Sequence, residues 1–83
     1  MPDSETAADS CVQLCLRELG SGRDMRNGPC LSNEIIPDWV CDIVHSPRED
    51  VDNLPENQCE AFGDGFSHHF VEVNATCDII KVS

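Results

Sequence analysis

Cys41 and His45 stand four residues apart in the run "WVCDIVH" and carry two side chains that commonly bind transition metals. On a helix that spacing aims both at one side. A structural zinc site wants four such ligands in a tetrahedron, and Cys30 and Cys59 are the candidates for the other two. His68 or His69 can replace either. Metal binding would couple to folding and support a thin core. The intervals run C-x10-C-x3-H-x13-C and contain no tight CxxC knuckle. A plainer reading therefore stands beside zinc: Cys41 is buried as a small hydrophobe, and His45 ends its helix where the dipole favours an imidazolium. A third reading joins Cys41 to another cysteine. As nucleophile and base, a Cys–His pair would also need a concave pocket. No Gly-rich phosphate loop, G-x-S-x-G elbow or HExxH is present, so the chain reads as non-enzymatic.

The elements that must position these groups follow from periodicity. In "SETAADSCVQLCLRELG", Ala8, Cys11, Val12, Cys15, Leu16 and Leu19 form one apolar helical stripe. Ser4 is the expected cap and Gly20 the stop, with residues 1–4 disordered. Cys11 and Cys15 then serve as core thiols. Ser32 and Glu34 open a second helix, which Pro37 restarts or kinks. On it Ile36, Val40, Ile43 and Val44 share a face, with Trp39 at its edge and Cys41 and His45 opposite. Asn53 caps a short third helix through Phe62, with Leu54, Cys59 and Phe62 inward. "SHHFVEV" and "CDIIKV", rich in β-branched and aromatic residues, read as a hairpin turning at "NAT". Adjacent on a strand, His68 and His69 point to opposite faces. The expected fold class is α+β: three short helices followed by a C-terminal β-hairpin, in a single domain over 1–83.

Charge narrows the partners. Sixteen Asp and Glu against five Lys and Arg leave a net charge of −11. Such a surface repels phosphate backbones and anionic membranes and suits a basic partner. No run is long and apolar enough to span a bilayer. The start "MPDSETAADS" has neither a basic nor an apolar stretch, which reads as cytoplasmic, with thiols reduced. Two features pull the other way. Six cysteines allow a disulfide framework, and Asn74-Ala75-Thr76 fits a glycosylation acceptor. A secreted, disulfide-stapled domain is therefore an alternative.

Helix, loop, helix, helix and terminal hairpin resembles the winged helix-turn-helix superfamily in order of elements, over residues 5–82. The resemblance places "LSNEII" at the start of the second helix, residues 53–62 where DNA is read, and the 69–82 hairpin as the wing. It implies nucleic-acid binding, yet Glu56 and Glu60 oppose that and the reading helix holds no Arg or Lys. The candidate contact residues are Arg23, Arg26, Asn57, Gln58 and Lys81. With charge weighed in, the expectation is an intracellular module for a macromolecular partner, protein before nucleic acid. The metal-stabilised alternative uses zinc on Cys30, Cys41, His45 and Cys59.

Overall fold

The computed structural model describes residues 2–24, 28–45, 50 and 57–83. One long helix, α1 (Pro2–Gly20), packs on a four-stranded sheet formed by β1 (Cys30–Ile36), β2 (Trp39–Ile43), β3 (His69–Val73) and β4 (Ile79–Val82). A single turn of helix, α2 (Glu60–Gly63), precedes β3. Strand order is β1-β2-β3-β4; the outer pairs are antiparallel and β2–β3 is parallel. Three helices followed by a hairpin does not describe this chain, which has one N-terminal helix on a four-stranded mixed sheet.

Residues 32–45, expected to be helical, differ most: Cys30–Ile36 and Trp39–Ile43 fold instead as the β1–β2 hairpin. Pro37 disfavours helical geometry at Ile36, and Asp38 at φ 73° takes the left-handed position, so the chain reverses between Ile36 and Trp39. Along β2, Trp39, Cys41 and Ile43 point at α1, while Val40 and Asp42 line the other side. A run of five such residues satisfies a helical period and a strand alternation equally, and β-branched and aromatic content favours the strand. Trp39, expected at an edge, is only 3% exposed. Of the expected third helix, the described α-helical part is Glu60–Gly63. Its Asn53 cap and Leu54 lie outside the described residues.

At the chain start, α1 begins at Pro2, and proline is well suited to a first helical position. Its end is set by Gly22 at φ 87° and not by Gly20. Gly22 N–H donates to the Leu19 carbonyl and Arg23 N–H to that of Glu18, a Schellman closure that a left-handed glycine makes cheap. The buried positions are Ala7, Cys11 and Cys15, spaced by four; Leu16 and Leu19 are exposed.

The sulfurs explain that choice of face. Cys11 bonds Cys41, Cys15 bonds Cys77 and Cys30 bonds Cys59, with Cα–Cα separations of 5.4, 5.6 and 5.0 Å. No cysteine is free. Two bridges tie α1 to the sheet, one at β2 and one just beyond the β3–β4 turn. The core between them is Ala7, Trp39, Ile43, Val71 and Val73 with four half-cystines.

Candidate functional site

The face of the sheet turned away from α1 carries the site. Val40 and Asp42 on β2 stand in register with Phe70 and Glu72 on β3. Strand alternation sends all four to the same side, giving an apolar row beside an acidic row. Opposite them, Gln58, Cys59, Phe62 and Gly63 complete a groove of about 200 Å³. The Cys30–Cys59 bridge anchors this wall to β1. Phe62 meets Phe70 edge to face at 5.2 Å. Lys81 on β4 lies 5.6 Å over the Phe70 ring and is the cross-strand neighbour of Glu72.

The electrostatics favour a cation here. Like charges on adjacent strands disfavour each other, so a positive group shared by Asp42 and Glu72 relieves that cost. Both carboxylates also engage neighbouring protein groups. The Phe70 ring face attracts an ammonium or guanidinium, as Lys81 already illustrates. Carboxylates beside aromatic walls are the chemistry that suits a basic side chain, and Lys81 already occupies the rim.

The residues expected at a zinc site are brought near one another, but as cystines. The sulfurs of Cys59 and Cys30 lie 3.5 and 3.8 Å from the Cys41 carbonyl oxygen, while the Cys41 sulfur is bonded to Cys11 across the sheet. A sulfur committed to a disulfide offers no thiolate to a metal. His45 follows β2, half-buried and with a partner of its own. No group of three or more His, Cys, Asp or Glu among the described residues is arranged to hold a metal ion.

The expected partner-contact residues separate. Gln58 lines the groove and Lys81 stands at its rim, whereas Asn57 is buried. Arg23 sits at the end of α1, 3.5 Å from Glu18 and bonded to the Cys30 carbonyl. Arg26 lies outside the described residues. Sequence reasoning passed over Asp42, Phe62, Phe70 and Glu72. The alternation of Val40/Asp42 and Phe70/Glu72 was the available signal, hidden by reading β2 as helix.

A second cluster sits at the β1–β2 turn. Nδ1 of His68 lies 2.7 Å and Nε2 of His69 3.6 Å from the two carboxylate oxygens of Asp38. Both histidines therefore meet one group, contrary to the expectation of opposite faces. His68 precedes β3, so strand alternation does not govern it. His69 also stacks on Trp39 at 4.7 Å. The His68 side-chain hydrogen bond holds the Asp38 carboxyl below its ordinary 3.8, helped by the His68 N–H and by positive charge on the two rings. A carboxyl lowered on folding stabilises the fold above its ordinary pKa. That contribution fades as pH falls through the lowered value. His68→Ala is expected to return Asp38 toward the ordinary range, which removes this contribution at neutral pH and flattens the acid loss of stability that it causes. Carboxyl-carbon NMR titration reads this directly; identical Asp38 titrations in both proteins would refute it.

No helix among the described residues is long and apolar enough to cross a membrane. Comparison of the chain with protein-family models, with curated proteins and with solved structures finds no match in any of the three.

Proposed function

We propose that this chain is a non-enzymatic, disulfide-stapled binding module of an oxidising, secretory-type compartment, and that its groove takes an arginine or lysine side chain of a basic protein partner. The carrying observation is the groove itself, in which the in-register pair Asp42 and Glu72 adjoins the Phe62–Phe70 edge-to-face pair. The net charge of −11 supports the sign of the partner and would steer it by long-range attraction. Pairing of all six cysteines supports the compartment, because cytosolic thiols are kept reduced. That support favours an oxidising setting over the cytoplasm expected from the polar first residues. Arginine fits better than lysine, since a planar guanidinium can stack on an aromatic ring while forking onto a carboxylate. Nucleic acid is the weaker partner on charge.

A fluorescent peptide of alternating arginine and glycine is a suitable probe, followed by anisotropy at low and at physiological salt. Any polycation is drawn to so acidic a protein, so the controls must match in charge. The variant Asp42→Asn/Glu72→Gln is expected to weaken binding by about tenfold or more, each charged hydrogen bond contributing roughly 1.5–3 kcal/mol. Glu5→Gln/Asp9→Gln, which removes the same charge from the exposed side of α1, is expected to change it little. Equal losses from the two variants would reduce the attraction to bulk charge and end the groove reading.

A further inference from the structure

The tip of the β3–β4 hairpin holds a motif that the groove does not use. Asn74-Ala75-Thr76 is an N-x-Thr tripeptide without proline at its centre. We propose that Asn74 is the acceptor for an N-linked glycan, a reading that rests on the secretory compartment proposed above. Ala75 and Thr76 are exposed and Asn74 is half-buried.

The division of labour within the Asn74 side chain supports this. Its oxygen makes the turn: Oδ1 accepts from Thr76 N–H at 3.1 Å, from Thr76 Oγ1 at 2.9 Å and from Asp78 N–H at 2.9 Å. Its nitrogen has far less to do, with one contact of 3.3 Å from Nδ2 to Asp78 Oδ2. An amide nitrogen carries two hydrogens and glycosylation replaces one. The other can still donate to Asp78, and every bond to Oδ1 is retained. The folded turn therefore accommodates a sugar on Nδ2 without losing the contacts that shape it.

The donor class is an oligosaccharide held on a lipid diphosphate. Nδ2 forms a bond to the anomeric carbon, and the bond from that carbon to the diphosphate oxygen breaks. The lipid diphosphate leaves with the electron pair, and the amide proton passes to a base of the transferase. No oxidant or reductant is needed. The sugar would stand at the head of β4, the edge strand of the described sheet, whose Ile79, Ile80 and Val82 are exposed. Hydrated bulk beside such an edge discourages strand-to-strand association.

The test expresses the full chain behind a secretory leader in eukaryotic cells and reads its intact mass before and after peptide-N-glycosidase. The expected result is a heterogeneous added mass that the enzyme removes, leaving heavy-oxygen-labelled Asp at position 74 when digestion is run in heavy-oxygen water. Thr76→Ala is expected to abolish the added mass with Asn74 intact, and Thr76→Ser to keep it. A secreted wild-type chain with an unmodified Asn74 overturns the proposal. The same spectra, taken with and without reductant, count the cystines. Three cystines on an unglycosylated chain overturn the glycan alone, whereas free thiols on the secreted chain overturn the compartment reading and the glycan with it.

Discussion

Breaking the Cys15–Cys77 bridge by Cys15→Ser/Cys77→Ser is expected to lower stability by about 4 kcal/mol, the largest loss from any one bridge. This bond spans 62 residues, against 30 and 29 for the others, and closing a longer loop removes more freedom from the unfolded chain. The substitution also removes half-cystines from the buried layer, where, among the described residues, Cys11, Cys15, Cys41 and Cys77 sit with five other core residues. Small domains hold about 5–15 kcal/mol in all, so one such loss approaches the whole for a chain of this size. Thermal melts followed by far-ultraviolet circular dichroism should show a midpoint lower by about 20 °C. Full reduction should abolish cooperative melting. A reduced chain that still melts sharply within a few degrees of the oxidised one would show that packing alone holds the fold. Losing Cys30–Cys59 should cost slightly less stability but loosen the groove wall, so peptide binding should suffer more than the melt.

Trp39→Ala is the second large effect, expected to cost about 3–5 kcal/mol. Trp39 is the single tryptophan, 3% exposed, lying in the α1-facing core and stacked on His69. Truncation leaves a cavity against Ile43, Val71 and the Cys11–Cys41 bridge, atoms that the bridges hold back from collapsing into it. It also removes the ring that orients His69 toward Asp38. Trp39→Phe keeps an aromatic over His69 and should retain most of the stability. Urea unfolding of the oxidised proteins, read by circular dichroism because the variants lack the fluorophore, measures both. A loss below about 1 kcal/mol for the alanine variant would place Trp39 outside the cooperative core.

The sequence by itself determined the pieces whose signal is local. The apolar recurrence through Ala8, Cys11, Val12 and Cys15 marks α1, since many turns of helix accumulate one period. The β-branched run "HFVEV", the Asn74–Thr76 turn and "IIKV" mark β3 and β4, whose pairing is between neighbours in the chain. The net charge of −11 needs no fold at all. Residues 30–45 lie at the limit of that logic. Five residues of β2 span barely more than one helical turn, so the two periods cannot be told apart until Pro37 and left-handed Asp38 are seen to reverse the chain.

Only the tertiary structure decided the rest. Six cysteines allow fifteen pairings, and nothing local selects among them. The choice follows from which Cα atoms the packed helix and sheet bring within bonding reach, as Cys15 and Cys77 are brought together from 62 residues apart. The same selection removed Cys30, Cys41 and Cys59 from the expected zinc set by giving each a sulfur partner. "WVCDIVH" thus holds one arm of a bridge, and its neighbour Asp42 lines the groove. That groove exists because β2 and β3 run parallel, setting Asp42 beside Glu72 and Val40 beside Phe70. A parallel pair cannot be closed by a tight turn, so its partners are distant in sequence and meet only when the whole domain has folded.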